Sequence, residues 1–214
     1  MQFIRLGVFD FFGRIIPGVF CLTLILLSTN YQNFEQLLHR ISSLSISSLI
    51  IFIIFLYIFG FVLDTIGSYY QSFIGKLLFG DVKTKVIEKF KKENPDLKIE
   101  GYNIQFLDSH TEINSPRINE REDSFRAMGL MSRNLSLSII IYALIAIVNG
   151  ILNFENNNLF LIIIKVLSSF FLSYLLLLRS IQIRQSGDEY LLYSYYINNK
   201  SLSKNSSDMG NSKG

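Results

Sequence analysis

The chain has 214 residues, of which 50% are hydrophobic and 17% are charged, and its formal net charge is +3. The charged residues are bunched, so several windows of about twenty residues contain almost none of them. A soluble domain of this length would need charges on the outer face of every element. The composition therefore excludes an ordinary soluble domain and favours an integral membrane protein.

Four apolar windows are long enough to cross the roughly 30 Å hydrocarbon core of a bilayer as helices. They lack the alternation of a barrel strand, and lipid offers no partner for unpaired backbone groups, so we expect an all-α membrane protein with four transmembrane helices and a mainly helical cytoplasmic insert. The windows lie at about Phe11–Ser28, Ile46–Ile66, Leu135–Leu152 and Leu159–Leu178. The expected segments are an interfacial segment with the first transmembrane hairpin (1–79), the insert (80–133), the second hairpin (134–185) and a tail with a disordered end (186–214).

The first window begins with FDFFGRIIPGVF, residues 9 to 20. Asp10 and Arg14 are four residues apart in the order that favours a helical ion pair, and Pro17 follows with Gly18. We expect the pair to anchor the depth of the segment and the Pro-Gly step to bend the chain into the membrane, where a neighbouring helix can bind the freed carbonyl. A gate at this position is the alternative.

The distribution of Lys and Arg predicts the orientation. Eleven of the 20 basic residues lie between the second and third windows, whereas the opposite loops hold only Arg40 and none in residues 153–158. Positive residues near span ends stay in the cytoplasm, so both termini and the insert are expected there. The insert also has ten acidic residues. This near balance argues against direct nucleic-acid binding.

Amphipathic patterns continue in the insert. After the second window, GSYYQSFIGKLLFG predicts a helix that runs on, or bends, into the cytoplasm. Val82, Val86 and Phe90 then define the apolar stripe of a helix that ends at Pro95. Its lysines either form a solvated face or lie against anionic lipid.

Two longer patterns flank the last two windows. IEGYNIQFLDSHTEINSP indicates a short hairpin or an ordered loop, and Pro116 then starts a helix of more than thirty residues that enters the third window. After the fourth window the helical register resumes, with a break or bend at Gly187. Tyr190, Tyr193 and Tyr196 form an aromatic face that we expect to pack on the insert.

Ionisable residues in a span are candidates for function. Asp64, Arg133 and Arg179 should lie at one membrane face. Asp64 and either arginine could form a proton relay there, and the alternative is a structural contact between helices. Lys165 lies roughly 10 Å inside the fourth window. Its ammonium either snorkels to the interface or contributes to a ring of positive charge in an oligomer, which would favour anions. Asn149 is polar enough to pair between helices.

Motifs of enzymes and cofactor proteins are absent from the sequence. It has no Gly-rich phosphate loop, no HExxH and no GxSxG motif. Its one cysteine and two histidines are not spaced as metal ligands would be. We therefore expect no enzyme activity, no cofactor and no metal site. Four spans without a repeat between halves also argue against a transporter.

Three motifs carry a resemblance: FDFFGRIIPG before the first span, SRNLSLSII at the third, and RSIQIRQSGDEYLLYSYY after the fourth. The chain resembles small four-span bacterial membrane proteins of antiviral defence loci, including the membrane accessory proteins of RNA-targeting CRISPR systems. The resemblance implies a protein of the bacterial inner membrane that forms a homo-oligomer and permeabilises or depolarises the bilayer. The alternative is a non-conducting scaffold that recruits or modulates a cytoplasmic effector protein.

Overall fold

The structure is a computed structural model that describes residues 11–29, 39, 41–94, 116–152 and 159–210. The regular structure of these residues is helical, and none of them forms a strand. Four helices are long and apolar enough to cross a membrane, in the ranges Phe11–Ser28, Ile46–Phe79, Arg121–Leu152 and Leu159–Ile197. The predicted all-α class with four candidate transmembrane helices is therefore confirmed, as expected of a multi-pass membrane protein.

The helices are numbered here in chain order. A π-helical turn, Phe11–Ile15, leads into α1, and a second one, Gln71–Gly75, joins α2 to α3. The α-helices are α1 (Ile16–Thr29), α2 (Ile46–Tyr70), α3 (Lys76–Phe79), α4 (Val82–Glu93), α5 (Pro116–Leu152) and α6 (Leu159–Gly210).

Two predicted helix features can be compared with these bounds. α5 starts at Pro116 and has 37 residues, which confirms the long helix that enters the third span. A break or bend was predicted at Gly187, and α6 continues through this residue without a break. Gly187 packs closely on α5, since a Cβ there would lie 3.3 Å from Cβ of Phe125. The proposed hairpin before Pro116 and residues 211–214 of the tail lie outside the described residues.

Local hydrogen bonds explain where α2, α3 and α4 begin and end. The Ser45 side chain accepts a hydrogen bond from the backbone N–H of Ser48, as an N-cap does. Gly80 has a φ of 75°, a conformation that favours glycine, and it ends α3. Asp81 then caps α4 by accepting a hydrogen bond from the backbone N–H of Lys83 at 3.1 Å.

The chain divides into two compact units. Unit 1 consists of residues 1–80 and 127–181, and unit 2 consists of residues 81–126 and 182–214. Unit 1 therefore contains α1, α2, α3 and the parts of α5 and α6 with the apolar windows.

Within unit 1, α1 and α5 run parallel. Asn134 donates a side-chain hydrogen bond to the carbonyl oxygen of Gly13 at 2.8 Å, and Asn149 donates one to that of Ser28 at 2.9 Å. Both pairs are separated by 121 residues, so the two helices keep the same register over about 22 Å. The prediction that Asn149 pairs between helices is confirmed.

Two other pairs of neighbours in unit 1 are antiparallel. Ser136 contacts Ser173, whereas Ser180, seven residues further along α6, bonds to Gly129, seven residues back along α5. α1 and α2 likewise approach in opposite directions. A Cβ on Gly18 would lie 2.8 Å from the carbonyl oxygen of Leu56, so these two backbones are in close contact.

Unit 2 has an apolar core of its own. Val86 and Phe90 of α4 are buried against Leu191 and Leu192 of α6. The Phe90 ring meets the Tyr193 ring edge to face, with 5.0 Å between the centroids. The predicted stripe of α4 is therefore confirmed, and the aromatic face of α6 packs on α4.

Polar contacts flank that core. Lys89 forms an ion pair of 2.9 Å with Glu189, and the Tyr190 ring lies 6.2 Å from the Phe125 ring. The Arg121 guanidinium lies over the Tyr190 ring, 4.9 Å from its centroid. These contacts position α4 and the start of α5 on the last part of α6 within unit 2.

Candidate functional site: a charged cluster between three helices

α2 presents Asp64 next to a buried stripe of small and apolar residues. Its buried residues are Leu56, Gly60, Leu63 and Gly67, at the spacing of one helix face. A Cβ on Gly60 would collide with the Arg14 carbonyl oxygen, and one on Gly67 would lie 2.5 Å from Oδ1 of Asn134. The two glycines therefore let α1 and α5 approach α2 on either side of Asp64.

The Asp64 carboxylate joins two arginines from different helices. Its Oδ1 atom accepts a hydrogen bond from Nη2 of Arg133, which also donates to the Asp64 carbonyl oxygen at 3.2 Å. Its Oδ2 atom lies 3.8 Å from Nε of Arg14. The Arg133 side chain is 9% exposed and the Asp64 side chain 19% exposed, so the ion pair is largely withdrawn from the surface. One carboxylate thus links α1, α2 and α5.

Asn134 completes this cluster, and sequence reasoning missed it. Its side chain is fully buried. The Nδ2 atom donates to Oδ1 of Asp64 at 3.3 Å and to the Gly13 carbonyl oxygen at 2.8 Å, while Oδ1 accepts from Nε of Arg133 at 3.3 Å. Both donor hydrogens and the acceptor of the amide are therefore used. The signal in the sequence was the polar run at the start of the third window, SRNLSLS.

Pro17 of α1 explains why the Gly13 carbonyl oxygen accepts its hydrogen bond from Asn134. Pro17 is buried and lacks the N–H that would donate to the carbonyl four residues earlier, which belongs to Gly13. In lipid such a carbonyl needs another donor. Asn134 supplies it, so the partner that the sequence predicted for the freed carbonyl is found on α5.

Arg14 is also held by aromatic residues of α2. Its Nη1 atom donates to the hydroxyl of Tyr57 at 3.3 Å. Its guanidinium carbon lies 5.1 Å from the centroid of the Phe61 ring, at the distance of a cation–π contact. Asp10, its expected helical partner, lies outside the described residues.

A second polar set, here named the serine seam, joins α5, α6 and the end of α2. Ser136 and Ser173 each donate to the other's carbonyl oxygen, at 2.8 and 3.1 Å. The Tyr70 hydroxyl lies 3.2 Å from Oγ of Ser136 and 3.3 Å from that of Ser173. Ser180 donates to the Gly129 carbonyl oxygen at 2.8 Å. The serine seam therefore fixes the register of α5 and α6.

The remaining predicted residues lie elsewhere. Arg179 is exposed on α6, and among the described residues it is not a member of the charged cluster, so the alternative relay of Asp64 with Arg179 is not formed. Lys165 is also exposed on α6. Its carbonyl oxygen accepts hydrogen bonds from Ser168 and Ser169.

The cluster is a network of ion pairs and hydrogen bonds that can hold helices together, here named the clamp. Asp64 is engaged by two cations and an amide, which come from α5 and from the π-helical turn before α1, so its loss would leave guanidinium groups without their shared anion. No group of three His, Cys, Asp or Glu residues that could hold a metal ion occurs in the part of the chain that the structure describes. The arrangement can hold helices together, and it can release them if an ion pair is broken.

Comparison of the chain with protein-family models, curated proteins and solved structures finds no match.

Proposed function

We propose that this protein is a membrane effector or accessory protein of a bacterial antiviral defence system that assembles into an oligomer and permeabilises or depolarises the inner membrane. The observation that carries the proposal is a set of three exposed polar residues on one side of α6, here named the polar stripe. Lys165, Ser168 and Arg179 fall within an arc of about 60° at 100° per residue, and Leu161 and Leu172 lie in the same arc. The other exposed residues between 159 and 179 are hydrophobic.

A polar stripe on a membrane helix is costly in contact with lipid. A Lys side chain at the bilayer centre costs about 3 kcal/mol or more, and snorkelling lowers the cost near an interface. Lys165 is six residues from the start of α6, which is about 9 Å. If α6 instead faces neighbouring copies, Lys165 and Ser168 line a path between chains, and a ring of ammonium groups favours anions.

The interior of a single chain is a poor conduction path. Cys21, Leu63 and Leu137 form a buried apolar cluster, with Ile25 and Ile141 packed against it. An ion that passed the charged cluster within unit 1 would meet this cluster next. Permeation is therefore proposed between copies of the chain, with the charged cluster and the serine seam keeping each copy intact.

A second candidate is a non-conducting scaffold that recruits or modulates a cytoplasmic effector protein. The observation that favours it is the core of unit 2, in which Val86, Phe90, Leu191 and Leu192 are buried. A module with its own core can present a binding surface without any conduction. In this case the stripe of α6 faces lipid, and its basic residues only set the depth of the helix.

The two candidates are separated by ion flux and assembly state. The full chain is reconstituted in liposomes, and its oligomeric state in detergent is measured in parallel. The effector proposal expects an oligomer and chloride flux, with Lys165→Leu lowering the preference for chloride and Lys165→Arg retaining it. The membrane potential is also measured in bacteria that express the protein. Phage infection supplies the trigger in this experiment, and the effector proposal expects a loss of membrane potential. A protein that leaks no ions in either setting would overturn the effector proposal and leave the scaffold.

A further inference from the structure

The helix that begins with α2 continues beyond Tyr70 with a strongly exposed apolar face. Tyr69, Phe73 and Leu77 are 73%, 74% and 75% exposed, at four-residue spacing along one side. Leu78 is 53% exposed beside them. A helix that left the membrane along its own axis would carry Leu77 about 20 Å beyond Asp64, and this face would then be in water. An apolar face of this size is unfavourable in water, so lipid or another protein surface is expected to cover it.

Contacts within unit 1 keep the continuation beside residues 173–181 of α6. Gln71 donates a hydrogen bond to Oγ of Ser180 at 3.5 Å, and a Cβ on Gly75 would lie 3.4 Å from Cδ1 of Ile181. The Phe79 ring stacks on the Tyr174 ring, with 5.8 Å between the centroids.

The direction of this segment follows from the partner residues. From Tyr70 to Phe79 the helix rises about 13 Å, yet its partners on α6 all lie between Ser173 and Ile181. Tyr174 precedes Arg179 in the apolar part of α6. The segment therefore stays beside the end of the apolar window and does not run outward from it.

The π-helical turn and the side chains around it are consistent with a segment that stays beside the end of the apolar window. A π-helical turn inserts an irregular step into a helix, and Gln71–Gly75 forms one at the point where the continuation meets α6. Lys76 is exposed next to Leu77, and Arg179 is exposed on α6. Basic residues beside an apolar face suit anionic headgroups above acyl chains.

We propose that the segment Gln71–Phe79 lies in the membrane surface on the Arg179 side and that its partner is lipid. Phe73 and Leu77 reach the acyl chains, while Lys76 lies among the lipid phosphates. This placement replaces the sequence expectation of a helix that enters the cytoplasm. It does not depend on the proposed permeabilising function, because a scaffold would carry the same segment.

Tryptophan fluorescence tests the proposal, because the chain contains no Trp. Phe73→Trp and Leu77→Trp are each made in the full chain and reconstituted in vesicles of phosphatidylcholine and phosphatidylglycerol, with and without brominated acyl chains. We expect bromine to quench both, with a loss of emission approaching that of Phe171→Trp, a reference at a 65% exposed position within the apolar part of α6. Aqueous iodide should quench them weakly.

Two results would overturn the proposal. Strong iodide quenching without bromine quenching at both positions would place the segment in water. Protection from both quenchers would show that protein covers the face. Phe73→Trp keeps an aromatic residue at an exposed site, so it leaves the packing of the segment on α6 unchanged.

Discussion

Replacing Asp64 with asparagine tests whether the charged cluster holds α1, α2 and α5 together. The substitution keeps the shape of the side chain and removes the charge that Arg133 and Arg14 share. Removing one partner of a buried pair costs about 3–5 kcal/mol. Because Asp64 remains 19% exposed and Arg14 Nε lies 3.8 Å away, we expect about 3 kcal/mol.

The only cysteine of the chain provides the assay. Cys21 is fully buried in the apolar cluster with Leu63 and Leu137, so a thiol-reactive fluorophore labels it only when the helices separate. A loss of about 3 kcal/mol should raise the labelling rate of protein in detergent micelles about a hundredfold. Thr65→Ala is the matched control, because Thr65 is exposed and bonds within its own helix to the Phe61 carbonyl oxygen.

A double-mutant cycle separates the ion pair from a general weakening of α2. Asp64→Asn combined with Arg133→Gln should cost about 2 kcal/mol less than the sum of the single substitutions, because the double variant removes both charges of the Asp64–Arg133 pair. Additive effects would refute the coupling. Unchanged labelling of Cys21 in Asp64→Asn would refute the clamp itself.

Two further predictions concern close packing and an exposed ion pair. Gly60→Ala should speed Cys21 labelling, because the added Cβ would collide with the Arg14 carbonyl oxygen; unchanged labelling would contradict this contact. The hydrogen bond from Lys89 to the Glu189 carboxylate raises the pKa of Lys89 above its ordinary 10.5, so its stabilising effect is present below the unfolded pKa and is lost as pH rises through the folded one. An NMR titration of Lys89 should therefore give a lower pKa in Glu189→Gln, and an unchanged value would contradict the pairing.

The fold was predictable where one helix alone carries the information. Apolar windows identify the spans, and Pro116 identifies the start of α5, because a bilayer sets a length and proline fits the first helical turn. Val86 and Phe90 reveal the buried side of α4 through their spacing. Each of these features depends on near neighbours in the chain.

The candidate site was only partly predictable. The sequence placed Asp64, Arg133 and Arg179 at one membrane face, but which arginine meets the carboxylate depends on how the helices are rotated and paired. The structure selects Arg133 and Arg14. Gly187 shows a related ambiguity: a glycine in a helix can mark an end or a close contact, and here α6 continues and Gly187 lies against Phe125.

The small and polar residues matter because lipid, and not water, surrounds the apolar helices. In water, apolar faces associate because burial removes them from water, but lipid tails are as apolar as leucine and give helices no such reason to pair. Close backbone contact and interhelical hydrogen bonds must then select the partners. Gly60 and Gly67 provide the contact on α2, and Asn134 and the serine seam provide bonds between α5 and its neighbours. Leucine at these positions would raise the hydropathy of the spans and lower their specificity for each other.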